Sequence, residues 1–167
     1  GSEKICRYLD LPLQHASPAV LKRMKRRGDI GEIRDMLLYA REKGFALRTT
    51  VMVGFPGETD REFQELMDFC AFVQFDRLGA FAFSPEEGTP AFDMQDQIPE
   101  EEKQRRLGLL LQIQQRISLK RNRLRIGENA EILITGCKDN DFLGRSRWEA
   151  PDSDGLIRVK SALPLDE

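Results

Sequence analysis

Arg48-Thr-Thr-Val-Met-Val-Gly-Phe-Pro-Gly-Glu-Thr59 joins a strand to a helix through a turn that few residue types can make. From Phe45 to Gly54 the residues alternate: Leu47, Val51 and Val53 share one face, and Arg48, Thr50 and Met52 share the other. Gly54-Phe-Pro-Gly57 then combines glycines, which accept positive φ, with a proline that stiffens the turn. Thr59-Asp-Arg-Glu62 is a capping box, and the helix it opens carries Phe63, Leu66, Met67, Cys70 and Val73 at helical spacing. A turn of this kind, at the C-terminal end of a strand and the N-terminus of a helix, is where parallel sheets and barrels bind ligands.

Upstream, Tyr8 to Gln14 alternates with Leu9, Leu11 and Leu13 on one side. Ser17 and Pro18 predict a helix start, with Val20, Leu21 and Met24 as its apolar stripe and Gly28 as its stop. Asp29 and Glu32 predict a second helix that buries Ile33, Met36, Leu37 and Ala40 and ends at Gly44. Downstream, Leu78 to Phe83 reads as a third strand, with Gly79, Phe81 and Phe83 on one side. Strand–helix–strand–helix–strand implies parallel strands, about half of a six- to eight-stranded barrel. Pro99 with Glu100, Glu101 and Glu102 opens a long helix that Gly127 ends, with Leu107, Leu110, Leu111, Ile113, Ile117 and Leu124 on one broad face. Beyond it, Glu128–Ile134 and Leu156–Val159 read as strands between Gly/Asp/Asn turns.

The 167 residues are 40% hydrophobic and 32% charged with a net charge of −2, which places the chain among globular proteins and argues against a general nucleic-acid or membrane surface. No apolar run approaches the roughly 20 residues that span a bilayer. Gly1-Ser2 reads as a cloning remnant. Cys6, Cys70 and Cys137 form no disulfide framework, which fits a cytoplasmic location. Cys70 falls on an apolar helix face, and Cys137 sits in a predicted polar turn with Lys138, Asp139, Asn140 and Asp141. The spacing supplies no metal site, and His15, the lone histidine, is a poor ligand candidate.

Three motifs, Tyr8-Leu-Asp-Leu-Pro-Leu-Gln-His15, Arg48 to Thr59, and Phe83-Ser-Pro-Glu-Glu-Gly-Thr-Pro-Ala91, together resemble the radical-SAM methylthiotransferases of the MiaB/RimO family. The resemblance implies an α/β chain: the C-terminal half of a radical-SAM (βα) partial TIM barrel over residues 1–124, then a small β-barrel (TRAM-like) segment over 125–167. That barrel would be incomplete where the sequence stops. It also implies a transferase using S-adenosyl-L-methionine and two [4Fe-4S] clusters, whose reduced cluster cleaves the cofactor to a hydrogen-abstracting adenosyl radical. The family's cluster signature, CxxxCxxC, is absent, so the chain alone is expected to be inactive and to contain neither catalytic residues nor metal ligands. The N-terminal half of the barrel would lie outside it.

By the same resemblance, Gln14, Arg48, Val53, Gly54, Phe55, Pro56, Gly57, Glu58 and Phe83 are the expected cofactor-binding residues. Arg48 has two candidate partners: the carboxylate of the cofactor's methionine, or a structural pair with Asp10 or another acid inside the barrel. Phe83 stands where relatives commonly have tyrosine, leaving stacking or packing as its contribution. Lys22, Arg23, Lys25, Arg26 and Arg27 form a basic cluster, read as a solvated helix face that could meet a polyanion.

Gln14-His-Ala-Ser17, Ser84 to Ala91 and Gly144 to Gly155 resemble the branch that modifies an aspartate β-carbon in ribosomal protein uS12. From Arg125 onward there are 6 basic and 9 acidic residues, a balance of −3 that suits a basic protein better than RNA. The expected partner of the tail is therefore uS12. The alternatives are a tRNA adenosine methylthiotransferase and a non-enzymatic binding module.

Overall fold

The computed structural model describes residues 5–139 and 141–161. They fall into two compact units, one formed by 9–124 and the other by 5–8 with 125–139 and 141–161.

The larger unit is a three-stranded sheet, β1 (Tyr8–Gln14), β2 (Ala46–Val53) and β3 (Arg77–Ala82), in the order β1-β2-β3. β2 and β3 run parallel, with Arg48 opposite Arg77, Thr50 opposite Gly79 and Met52 opposite Phe81. The helices are α1 (Pro18–Arg23), α2 (Ile30–Glu42), α3 (Asp60–Val73) and α4 (Glu100–Arg123). Alternation in β2 works as the sequence implies. Leu47, Thr49, Val51 and Val53 are buried and the intervening residues are half-exposed. The buried face meets Leu37 of α2, Phe63, Leu66, Met67, Cys70 and Val73 of α3, and Leu110 of α4 in one core. Burial of an aliphatic or aromatic side chain stabilises by about 1.5–3 kcal/mol, so this layer holds the unit together.

Helix starts follow their local chemistry. Thr59 and Glu62 form the complete reciprocal box at the head of α3, and Asp29 accepts from the Gly31 and Glu32 amides at the head of α2. At α1, however, Ser17 makes no side-chain cap, and its amide instead donates to His15 Nδ1 at 2.9 Å. α1 also stops at Arg23, five residues before Gly28, because Lys25 turns to φ +55°.

Three apolar positions assigned to buried faces are open. Met36 is 44% exposed, Leu111 43% and Leu124 62%. The buried stripe of α4 is narrower and partly polar: Lys103, Arg106, Leu110, Gln114 and Ile117. At the N-terminal ends of β2 and β3, buried Asp76 accepts from the Leu47 amide at 2.9 Å and from Arg121 Nε at 3.0 Å, tying the last turns of α4 to the sheet.

The smaller unit contains an antiparallel sheet, β4 (Leu133–Lys138), β5 (Asp141–Arg145) and β6 (Ile157–Val159), with a bulge between Ile134 and Gly136. The expected strand over Glu128–Ile134 lies four to five residues further on, and Cys137 belongs to β4 rather than to a turn. β5 was not anticipated. Buried Gly144 explains its position, since a Cβ there would sit 2.6 Å from the Leu133 carbonyl oxygen.

Candidate functional site

The C-terminal ends of β1, β2 and β3 open onto a cavity of about 300 Å³. Gln14 closes β1, Met52 comes from the end of β2, and Phe83 follows β3. Phe55 enters from the turn after β2, Met24, Lys25 and Arg26 from the turn after α1, and Thr89, Pro90, Ala91 and Met94 from the segment after β3. Phe55 and Phe83 meet edge-to-face with centroids 5.2 Å apart, and with Val20 they form a second buried cluster flanked by Met24, Met52, Ala91 and Met94. The floor is aromatic and thioether, and the rim carries Lys25 and Arg26. Gln14 and Lys25 both hold positive φ, +70° and +55°. Left-handed backbone costs an ordinary residue on the order of 1 kcal/mol, and such conformations concentrate at ligand sites.

The turn Gly54–Gly57 is held from behind. Gly54 sits at φ +73° against α4, where an added Cβ would lie 2.4 Å from Lys103 Cγ. The Gly54 amide donates to Glu58 Oε2 at 2.9 Å. Glu58 Oε1 accepts from Arg106 Nη1 at 2.7 Å, and Arg106 also donates to the Glu58 carbonyl, to Asp60 and to Glu102. Hydrogen bonds from Arg105 and Arg106 hold the Glu102 carboxyl well down, at about 2. His15 is fully buried with Nε2 3.4 Å from Glu58 Oε2. Because its Nδ1 accepts from Ser17, the neutral ring carries its proton on Nε2, facing Glu58. On the other flank Arg23 pairs with both oxygens of Glu62 and donates to the Gly57 carbonyl. The Arg23 hydrogen bonds to the carboxylate, with those from Thr59, bring Glu62 down to about 2. Lys103 Nζ lies 5.5 Å from the centre of the Phe83 ring.

Of the residues expected to bind cofactor, the structure brings Gln14, Phe55 and Phe83 to the cavity wall. Val53, Gly54, Pro56 and Glu58 are buried behind it, and half-buried Gly57 takes φ +73°. Arg48 is elsewhere: it pairs with Asp10, the structural partner considered for it, near the opposite end of β2. In the basic cluster, Arg26 donates to the Pro12 carbonyl while Lys22, Lys25 and Arg27 are exposed. Sequence reasoning missed Lys103 and Arg106. Their signal is two long cations on the spacing of Leu110, Gln114 and Ile117, where a core-facing helix ordinarily carries apolar residues. Cys70 is buried and its thiol pushed up to about 12 by desolvation. Cys6 and Cys137 are exposed, and no three potential metal ligands converge among the described residues.

Residues 2–70 match the family model described as the Radical SAM superfamily. By fold, the chain is similar to coproporphyrinogen III oxidase (HemN) from Escherichia coli, described as a radical SAM enzyme. The TM-score is 0.55 at 23% identity, over 64% of this chain and 27% of that one. Over residues 2–70 the chain is thus similar to the radical SAM superfamily, and its sheet and helices share the fold of that solved structure. Its sequence is also similar to RimO methylthiotransferases. It is 44% identical to the ribosomal protein uS12 methylthiotransferase RimO of Desulforudis audaxviator, over 98% of this chain and 37% of that protein. The namesake proteins of Geotalea uraniireducens and Pelotomaculum thermopropionicum are 46% and 48% identical, over 95% and 98% of this chain and 37% and 38% of theirs. The chain thus spans a little over a third of the length of these relatives.

Proposed function

We propose that residues 9–124 form part of the S-adenosylmethionine-binding wall of a methylthiotransferase that modifies an aspartate of ribosomal protein uS12. The observation that carries the reading is the cavity at the strand ends. Its Phe55–Phe83 floor and three methionines suit the flat, weakly polar face of an adenine, and its volume suits a nucleoside. Gln14 offers an amide able to both donate and accept toward a ribose, and Lys25 and Arg26 offer positive charge to a carboxylate. When bound, the cofactor supplies the oxidising equivalent for hydrogen abstraction. The chain's own residues bind it, exclude water from the apolar floor and fix the Gly54–Gly57 turn through Glu58, Arg106 and Lys103. The described residues offer no ligand set for an iron–sulfur cluster, so no step here runs through one.

The preference for a protein substrate over tRNA rests on the RimO names of the relatives and on the tail. Arg125 to Glu167 carries 6 basic and 9 acidic residues. Its only indole, Trp148, already has the Arg125 and Arg147 guanidiniums over its ring at 4.3 and 4.8 Å, which competes with base stacking. Residues 125–167 are read as the TRAM-like uS12-docking element. The test is titration of the protein in its full natural length with S-adenosylhomocysteine, then with uS12 and with tRNA at two ionic strengths. Nucleoside binding, with a uS12 affinity that exceeds that for tRNA and falls with salt, is expected. Preference for tRNA moves the assignment to the tRNA-modifying branch, and absence of nucleoside binding overturns the cofactor reading.

A further inference from the structure

The segment between β3 and α4 has no regular secondary structure, is largely exposed, and yet supplies Thr89, Pro90, Ala91 and Met94 to the cavity wall. Such a strap needs something to hold its backbone, because exposed loops give up ordering entropy of about 1–2 kcal/mol per residue. The structure supplies a hub. The side-chain amide of Gln97 donates from Nε2 to the Ala91 carbonyl at 2.9 Å and the Met94 carbonyl at 3.0 Å, with the Phe92 carbonyl at 3.4 Å beside them. Two of these three residues put their side chains against Phe55 and Phe83. Next to Gln97, the Asp96 carbonyl accepts from the Gly57 amide at 2.7 Å, fastening the strap to the turn after β2.

We propose that Gln97 is a positioning residue for the nucleoside cavity. Without lining the cavity, it holds the Ala91 and Met94 wall at the distance from Phe55 and Phe83 that a flat base requires. The inference deepens the cofactor reading above and rests on it. What the site needs from position 97 is a donor with reach. Glutamate has the same length but only acceptors when ionised, so it would face three carbonyls with like polarity, whereas lysine keeps three donors.

The test uses the full-length protein with wild type, Gln97→Glu and Gln97→Lys. Hydrogen exchange of the amides of residues 89–96, read without ligand, should rise in the glutamate variant and stay near wild type in the lysine variant. S-adenosylhomocysteine affinity by calorimetry should fall about tenfold in Gln97→Glu, the scale of one to two lost hydrogen bonds, and recover to within about threefold in Gln97→Lys. In turnover the loss should fall on KM for the cofactor with kcat little changed. Equal affinities in all three proteins overturn the proposal, and so does an equal loss in both variants, since side-chain shape would then matter and not donation. If the wild type binds no nucleoside, the cofactor reading fails and the ligand half of this one with it. The exchange measurement still decides separately whether Gln97 holds the strap.

Discussion

Arg106 Nη1 donates to Glu58 Oε1 at 2.7 Å with both side chains withdrawn from water, and this pair joins α4 to the turn after β2. A buried charge that loses its partner is far more costly than the pair is stabilising. Arg106→Ala should therefore destabilise the chain by about 3–5 kcal/mol in urea unfolding. Glu58→Gln has a single amide oxygen that can accept from Arg106 or from Gly54 but not from both, and it should cost less than Arg106→Ala because Arg106 keeps Glu102 and Asp60. Equal losses would mean that the charge of Glu58, and not its shape, carries the whole interaction.

Gly54 and Gly88 separate backbone strain from close approach. Both have φ near +75°, but a Cβ on Gly54 meets Lys103 Cγ at 2.4 Å while Gly88 has nothing within 4 Å. Gly88→Ala should cost about 1–2 kcal/mol, the left-handed penalty alone. Gly54→Ala should cost that plus about 1–3 kcal/mol for displacing Lys103 from its place near the Phe83 ring. Paired chemical denaturation curves measure the difference, and near-equal midpoints would show that α4 yields freely.

Arg48 is expected to serve the fold. It pairs with Asp10, which is 42% exposed, so a double-mutant cycle with Arg48→Met and Asp10→Asn should give a coupling of only about 0.5–1 kcal/mol. S-adenosylhomocysteine affinity of Arg48→Met in the full-length protein should stay within about threefold of wild type. A loss of ten- to a hundredfold, the scale of a charge-assisted bond, would return Arg48 to the cofactor site.

Acid should loosen the flank of the turn at a definite pH. Glu62 titrates near 2 in the folded chain against an ordinary 4.5, so the unfolded chain binds its proton first. The stabilisation from Arg23 and Thr59 is complete above 4.5 and is lost as pH falls through 2. It amounts to about 2–3 kcal/mol once partial exposure of Arg23 is allowed for. Glu62→Gln should remove this part of the acid dependence; a variant with an unchanged slope between pH 5 and 2 would place the effect on other carboxylates.

The 167-residue chain should not assemble a [4Fe-4S] cluster. Its cysteines lie in a strand lead-in, on a buried helix face and in β4, and cubane sites need several thiolates at one point. Anaerobic reconstitution followed by iron and sulfide analysis should return far less than one cluster per chain, and stoichiometric uptake would contradict this.

Much of the larger unit could be read directly from residue order, because the forces that make it are local. Thr59 and Glu62 cap α3 through bonds that close within four residues, and the alternation of Leu47, Val51 and Val53 reports the two faces of β2 whatever lies around it. The motifs likewise located the turn Gly54–Gly57 and the cavity residues Gln14, Phe55 and Phe83. Where local pattern was weak, it misled. β4 is shifted from its expected place, since a short, half-exposed strand takes its register from its partner and from the close approach of Gly144 rather than from its own alternation.

The partners of charges were decided by the tertiary structure alone. Nothing in the spacing of Glu58 and Arg106, 48 residues apart, says that they meet, and the choice of Asp10 for Arg48 depends on two strands lying side by side. A hydrogen-bonding periodicity can be written in one segment, whereas a desolvated ion pair exists only where packing has removed the water around both groups. The sequence by itself therefore determined most elements of the larger unit and the strand-end turn beside which the cavity lies. Which side chains stand behind that site and hold it was determined only when the chain closed on itself.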